Sequence, residues 1–381
     1  MRFFPPDPSD LPDPPRFARR DFLAASLLLP AALRPQSEGA RLVATVPLGS
    51  AGGAPTTPLD RLLGNGLDAR QFTDLSTIDP RDPKTLVTGN DRYYIRTAAP
   101  ADVSRARGLG GAIDLTSLER SSTRAGPYVM ECAGNADPAN FGLLSAAAWE
   151  GIPLPAVLDR LRAPATNARV LLSGVDDPGP SLTSIPGASW IFARGQLERA
   201  LLATRMNDAP LPLHHGAPVR LIVPGWYGCA CIKWVDRIEF VSDEAPATSQ
   251  MREFAGRTHQ TGVPERARDF EAATIDTAAI PVRVEKWIVN GRIEYRVAGI
   301  VWGGAKPTDA LSIRFKVGEP WTKVDHCPLP ASTLMWSTWT HTWRPKAPGR
   351  YEIVLRVDDP SIRTRRLDLF YYVREVDIRE V

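Results

Sequence analysis

Apolar and polar residues alternate with two different periods along this chain, and the change falls near residue 280. Between about 65 and 242, short apolar runs alternate with apolar residues at helical spacing. The predicted elements are strands at 93–96, 219–223 and 232–241, and helices at 153–162 and 196–206. This mixture predicts an α+β domain built around a pocket.

After residue 280 the pattern is typical of β-structure. The predicted strands are 282–289, 293–302, 311–317, 336–343, 351–357 and 367–376. Turn sequences separate several of them, including Asn290-Gly291 and Pro348-Gly349. Closely spaced strands without a helical pattern predict an immunoglobulin-like β-sandwich, in which the many tryptophans serve as core or interface packing.

Composition divides the chain into five segments. We expect a leader at 1–36, a connector at 37–84, a first domain at 85–245, a linker at 246–280 and a second domain at 281–381. The leader carries Arg19-Arg20-Asp21-Phe22-Leu23 before an apolar stretch, which resembles a twin-arginine signal and predicts export to the periplasm. A short amphipathic helix with two solvated arginines is the alternative. The twin-arginine route carries folded proteins and is therefore compatible with a cofactor inserted before export.

Charge and cysteine content exclude several classes of protein. The net charge is only +3 with no dense basic block, which argues against a nucleic-acid partner. The longest apolar run is shorter than the ~20 residues of a membrane-spanning helix. Four scattered cysteines form neither a disulfide framework nor a zinc pair, and the Cys-x-x-Cys-His motif of c-type haem is absent from the sequence.

Cys132 is the first candidate for a functional residue. It follows an apolar strand, Tyr128–Met130, and opens the turn Cys132-Ala133-Gly134-Asn135. A thiolate there is a soft, strongly donating ligand for a metal, and Gly134 allows a close approach of the backbone. A lone cysteine is otherwise most often a small buried hydrophobic residue.

A second candidate region is basic. His215, Arg220 and Lys233 surround a predicted strand and its Pro224-Gly225 turn. These side chains suit a phosphate-bearing cofactor, because each cation can make a charge-assisted hydrogen bond to an anionic oxygen. A solvated cluster on a hairpin is the alternative for this stretch alone, and a zinc site at His214-His215 is weakly supported.

Together these segments resemble the sulfite oxidase family of molybdenum enzymes, over roughly residues 85–381. The resemblance depends on the order and spacing of several motifs: Tyr94-Ile95-Arg96, Cys132-Ala133-Gly134-Asn135, Phe141-Gly142-Leu143, Trp149-x-Gly151-Ile152-Pro153-Leu154, Ser184-Ile185-Pro186, Met206-Asn207-x-x-Pro210-Leu211-Pro212, His215-Gly216-x-Pro218-Val219-Arg220, and Pro224-Gly225 before Ile232-Lys233-Trp234. It implies a mixed α/β molybdopterin-binding domain followed by a β-sandwich dimerisation domain, and hence a homodimer.

The resemblance also implies a cofactor and roles for individual residues. Cys132 would be the thiolate ligand of molybdenum and Arg96 an active-site arginine facing the metal. The residues expected to contact molybdopterin are Tyr94, Arg96, Cys132, Asp176, His215, Arg220, Cys231, Ile232 and Lys233. The implied reaction is oxygen-atom transfer to sulfite or a related small anionic or oxo substrate. Electrons would leave to an external acceptor such as a c-type cytochrome.

This sequence departs from the usual sulfite oxidase pattern at two places that bear on substrate binding. Thr97-Ala98 replaces the Asn-His usual in sulfite oxidases, and Ala136-Asp137 stands where they carry a substrate-facing arginine. A carboxylate in that position would repel sulfite unless Asp137 turns away or another group, such as Arg257, compensates. The alternatives are therefore a sulfoxide-type reductase of the same superfamily and a non-catalytic periplasmic binding protein.

Overall fold

A computed structural model describes residues 39–50, 61–106, 120–161, 169–176 and 188–381. Two short helices are present, α1 Leu154–Arg160 and α2 Ser249–Phe254. The strands are β1 Ala40–Val46, β2 Gly49–Ser50, β3 Thr123–Glu131, β4 Leu144–Pro153, β5 Arg169–Gly174, β6 Ser189–Phe192, β7 Leu201–Met206, β8 Ala209–Pro210, β9 Arg220–Ile222, β10 Val235–Val241, β11 Ala278–Val289, β12 Arg292–Trp302, β13 Leu311–Arg314, β14 Thr322–Lys323, β15 Ser337–Trp343, β16 Gly349–Val357 and β17 Arg374–Ile378. In the part of the chain that is described, no helix is long and apolar enough to cross a membrane. The predicted leader at 1–36 and the Ser184-Ile185-Pro186 motif lie outside these residues.

Two sheets carry the C-terminal β-structure. Their strand orders are β1-β11-β12-β15 and β14-β13-β16-β17-β2. Asn290 and Gly291, with φ of 51° and 78°, form the tight turn between β11 and β12, as the sequence predicts. Apolar side chains such as Trp339 and Ile300 are fully buried here. The strands predicted after residue 280 are largely confirmed, except that residues 367–373 form turns and β17 begins at Arg374.

Two further sheets frame the preceding segment. One has the order β3-β4-β7-β8 with β9 paired to β7, and the other the order β10-β5-β6. Helix α1 confirms the helix predicted at 153–162 over seven residues; Leu154, Val157 and Leu158 face the core, and Pro155 lies in the first turn, where its missing N–H is tolerated. Strands β9 and β10 confirm the two predicted strands, with β10 beginning only at Val235.

The helix predicted at 196–206 is wrong. Residues 201–206 form strand β7, which pairs with β4 on one side and β9 on the other. A central strand buried on both faces reads as a continuous apolar run, which helical spacing can match by chance.

The strand predicted at 93–96 is also wrong. Tyr94 N donates to Ser145 Oγ at 3.0 Å instead of to a neighbouring strand, and a single bridge joins Ile95 to Gln71. Tyr93 and Tyr94 therefore follow a turn in which side chains, and not a neighbouring strand, provide hydrogen bonds to the backbone.

Two segments expected to be connecting chain are built into the fold. Strand β1 pairs antiparallel with β11, and β2 pairs with β17, so residues 40–50 extend the edges of both C-terminal sheets. Within 246–280, the predicted linker, Met251, Ala255 and Ala273 are fully buried. The domain boundaries themselves remain a prediction.

Gly299 tests the packing of the C-terminal sheets. A Cβ at this position would lie 2.3 Å from Ile280 O and 2.4 Å from the Trp339 ring, and the backbone oxygen cannot move away. We expect Gly299→Ala to lower the free energy of unfolding by about 1–3 kcal/mol in denaturant titrations. Gly195→Ala is the control, because a Cβ there meets nothing within 4 Å. Equal stability of the two variants would contradict the close packing of Gly299 against Ile280 and Trp339.

Candidate active site

All of the residues predicted as site residues line one cavity of about 430 Å³. They are Tyr94, Arg96, Cys132, Asp176, His215, Arg220, Cys231, Ile232 and Lys233. They come from segments far apart in sequence, so the fold brings them together as the sequence analysis expects. Their individual roles remain a prediction.

The Cys132 loop turns at the end of β3. Cys132 N donates to Leu143 O at 2.9 Å, and Asn135 Oδ1 accepts from Leu143 N at 3.2 Å. The Cys132 side chain is 5% exposed and lines the cavity, and Gly134 N donates to its sulfur at 3.4 Å. These bonds hold the sulfur at the cavity wall in a defined position.

Opposing effects act on the acidity of this thiol. Burial raises the pKa of Cys132, whereas the Gly134 N–H and the guanidinium groups of Arg96 and Arg257 lower it. Burial lowers the pKa of Arg96, and the like charges of Arg70 and Arg257 add to that effect. Arg96 and Arg257 therefore place positive charge near one buried sulfur, and Arg70 adds to the charge of the same cavity.

Arg220, on β9, anchors the basic end of the cavity. It is 4% exposed, and its guanidinium donates to His215 O at 3.0 Å and to Cys231 O at 3.2 Å. Its Cζ lies 5.1 Å from the centre of the Trp149 ring, a cation–π distance. Lys233 donates from Nζ to Thr97 O at 2.6 Å and to His214 O at 3.1 Å.

The histidine and lysine here have strongly shifted acidities. Burial lowers the pKa of His215 to about 4, so the ring is neutral at pH 7 and its Nε2 donates to Asn90 O at 2.8 Å. Burial and the nearby Arg220 also lower the pKa of Lys233 well below its usual value, while Asp176 opposes that shift.

The remaining predicted residues shape the walls. Tyr94 stacks on Tyr93, with ring centres 5.3 Å apart. Cys231 Sγ accepts from Val223 N at 3.5 Å, and Ile232 O accepts from Leu221 N at 2.7 Å, so both residues are fixed to β9 and its end.

The donor set fits a phosphate-bearing organic cofactor held beside a metal. Arg220 Nε is buried with no hydrogen-bond partner among the described residues, which leaves a charged donor for an anionic oxygen. Gly216 and Gly228 allow Arg220 and the Tyr94 hydroxyl to pack closely against the backbone, since a Cβ would lie 2.9 Å from Arg220 Cβ and 2.5 Å from the Tyr94 hydroxyl respectively. Cys132 supplies a soft sulfur ligand.

Asp137 turns away from this cavity. It is exposed, and its Oδ1 accepts from Ala139 N at 2.9 Å and from Asn140 N at 3.2 Å. Asp137 is not among the residues that line the cavity, whereas Arg257 is. The Asp137 carboxylate, expected from the sequence to repel an anionic substrate, instead accepts hydrogen bonds from the backbone of its own turn.

Sequence reasoning missed a carboxylate beneath the Cys132 loop. Glu131 is fully buried; its Oε2 accepts from Trp302 Nε1 at 2.9 Å, and its Oε1 accepts from Asn135 Nδ2 at 3.4 Å. Arg365, which donates to the Tyr227 hydroxyl, attracts the same carboxylate. An acidic residue ending an otherwise apolar strand is the sequence signal that could have identified it. Arg70, which also lines the cavity, has no such signal.

Comparison with known proteins places this geometry in a family. Residues 110–249 match the family described as "Oxidoreductase molybdopterin binding domain". Sulfite oxidase of Gallus gallus is 27% identical over 314 residues, which cover 72% of this chain and 67% of that protein. Mitochondrial sulfite oxidase of Homo sapiens is 30% identical over 212 residues, covering 52% of this chain and 38% of that protein.

The chain is similar to the sulfite oxidase family, and its residues 110–249 match a molybdopterin-binding oxidoreductase domain. It is thus a molybdopterin-dependent oxidoreductase, and the cavity lies largely within the matched domain. The fold agrees with that of the sulfane dehydrogenase SoxCD from Paracoccus pantotrophus, with a TM-score of 0.57 and 18% identity over 85% of this chain and 90% of that one. The sulfite oxidase-like fold is therefore confirmed. It consists mostly of sheet, with few helices among the described residues.

His215 makes stability depend on pH. Its pKa in the folded chain is about 4, below the ordinary 6.5, so on acidification the unfolded chain takes up the proton first. We expect the free energy of unfolding to fall between pH 6.5 and 4 by up to about 1.4 kcal/mol per pH unit from this group. His215→Gln lacks this proton, so its stability, measured by denaturant titration at each pH, should fall less steeply. Equal slopes of unfolding free energy against pH in wild type and His215→Gln would refute the lowered pKa of His215.

Trp302→Phe tests the anchor of the Cys132 loop. The change removes the N–H that donates to Glu131 and leaves a buried carboxylate oxygen without that partner. We expect a loss of about 1–3 kcal/mol in unfolding free energy. Trp226→Phe serves as the control, because this tryptophan is also buried but packs against Phe192 instead of donating to Glu131. A loss no larger than in the control would show that the bond to Glu131 contributes little.

Proposed function

We propose that this protein oxidises sulfite, or a closely related small sulfur oxyanion, and passes the electrons to an external acceptor. Sulfite and water yield sulfate, two protons and two electrons, so every turnover needs an acceptor for the electron pair. The names of the similar proteins, sulfite oxidase and sulfane dehydrogenase, support oxidation of a sulfur compound.

The observation that carries the proposal is the charge around Cys132. The sulfur shares one cavity with Arg70, Arg96 and Arg257, while Asp137 faces away. At about 4 Å and an effective dielectric constant of about 20, each unit charge interacts with another by about 4 kcal/mol. A cluster of cations beside the metal ligand favours an anionic substrate over a neutral sulfoxide.

The proposal assigns a role to the cofactor and to individual residues of the cavity. Molybdopterin, when bound, supplies the redox metal and the oxygen-atom transfer chemistry. Cys132 would ligate the metal, while Arg220 and Lys233 would hold the anionic oxygens of the cofactor. Tyr94 stays protonated, because burial raises its pKa well above the usual value, and so remains a hydrogen-bond donor.

The acceptor, location and assembly are part of the same proposal. The acceptor in this proposal is an external carrier such as a c-type cytochrome. The twin-arginine-like residues support a periplasmic location. The two C-terminal sheets, completed by β1 and β2, support an immunoglobulin-like domain. The resemblance to sulfite oxidases is what implies that this domain forms a homodimer.

Replacing the proposed metal ligand provides the test. We expect Cys132→Ser to lose most of its bound molybdenum and at least about a hundredfold of its sulfite-dependent ferricyanide reduction, because a hydroxyl is a harder, weaker donor than a thiolate. Metal content by mass spectrometry and initial rates measure both effects. Cys327→Ser is the matched control, since Cys327 does not line the cavity.

Three results would each reject part of the proposal. Wild-type protein with stoichiometric molybdenum but no turnover of sulfite would exclude the substrate, and turnover of a sulfoxide in its place would favour the reductase. Full molybdenum content in Cys132→Ser would exclude Cys132 as the ligand. Correctly expressed protein that never contains molybdenum would support a binding protein.

A further inference from the structure

Arg257 reaches the cavity from a segment that the sequence analysis treats as a linker. Helix α2 begins at a Thr248 cap, whose Oγ1 accepts from Met251 N at 3.2 Å, and a single 3₁₀ turn, Ala255–Arg257, continues it. Met251 and Ala255 are fully buried, which fixes the helix against the fold. The segment thus presents Arg257 at a defined place on the cavity wall.

The guanidinium group lies directly over the Cys132 loop. A Cβ placed on Gly134 would lie 3.0 Å from Arg257 Nη1 and 3.7 Å from Cys132 Sγ, so both atoms are within 4 Å of one point. A side chain at residue 134 would crowd the Arg257 guanidinium, which would have to shift by a few tenths of an ångström. The glycine therefore leaves room for this guanidinium beside the sulfur.

Charge around Arg257 is unbalanced among the described residues. No carboxylate lies within ion-pair distance of it there, and its nearest described ring partner is Phe254, 5.6 Å from Cζ. Burial lowers the pKa of Arg96, and the like charges of Arg70 and Arg257 lower it further. Glu253 is the carboxylate from α2 that lines the same cavity. An oxyanion bound between these arginines would relieve their repulsion.

We infer that Arg257 is a specificity-determining contact for the anionic substrate, supplied from the turn after α2 because the Cys132 loop itself carries Ala136 and Asp137. Asp137 caps its own turn, so the positive charge reaches the sulfur from another segment. This inference rests on the proposed function, and the ligand class it names is a small sulfur oxyanion.

Arg257→Gln in the holoprotein tests the inference. We expect the KM for sulfite to rise about tenfold or more with a smaller change in kcat, because one charge-assisted hydrogen bond to the substrate is lost. The dissociation constant for sulfate, measured by titration calorimetry without turnover, should rise by a similar factor. Arg257→Lys should recover part of both losses, since it keeps the charge without the planar fork.

Arg252→Gln is the matched control. It removes the same charge from exposed α2 surface that does not line the cavity, so the sulfite KM and the sulfate affinity should stay as in wild type. Equal losses in both variants would overturn the inference in favour of a general effect of net charge. Unchanged sulfate affinity and sulfite KM in Arg257→Gln, with full molybdenum content, would also overturn it.

The inference and the proposed function can fail separately. If wild-type holoprotein binds sulfate but does not turn over sulfite, the proposed function fails, and sulfate affinity still decides whether Arg257 binds oxyanions. If sulfite is oxidised equally well by wild type and Arg257→Gln, the function stands and the role of Arg257 is refuted.

Discussion

The buried Glu131 carboxylate is the constraint on which the position of the active sulfur depends. It directly precedes Cys132, and its oxygens accept hydrogen bonds from Trp302 on β12 and from Asn135 in the same loop. A carboxylate without such partners would be costly to bury; burial raises the pKa of Glu131, and Arg365 and the two hydrogen-bond donors oppose that shift. The C-terminal β-structure therefore holds the loop that carries Cys132, the metal ligand in our proposal.

Positive charge is the second organising feature of the site. Arg220 and Lys233 line the cavity, and so do Arg70, Arg96 and Arg257, of which Arg96 and Arg257 act on the Cys132 sulfur. Cations gathered in this way repel one another and lose hydration, as the lowered pKa values of Arg96 and Lys233 indicate. The bound cofactor and substrate, both anionic in our proposal, would offset that repulsion, so the site is complete only with its ligands.

Much of the fold and site could be predicted from local pattern. The strands after residue 280, helix α1 and the Asn290-Gly291 turn follow from apolar spacing and from turn residues suited to positive φ. Strand β7 could not be distinguished from a helix, because burial on both faces removes the alternation that marks a strand. The edge strand β1 was missed because its residues are mostly exposed and gain order only by pairing with β11.

The sequence by itself determined the chemistry available: a lone cysteine after an apolar strand, a downstream group of cations and the motif order of a molybdopterin enzyme. Tertiary structure alone decided which charges face the sulfur. Asp137, five residues from Cys132, turns outward to its own backbone, whereas Arg257, more than a hundred residues away, lies over the loop. The physical reason is that a side chain's direction depends on the hydrogen bonds and packing of its own segment, and distance along the chain carries no information about either.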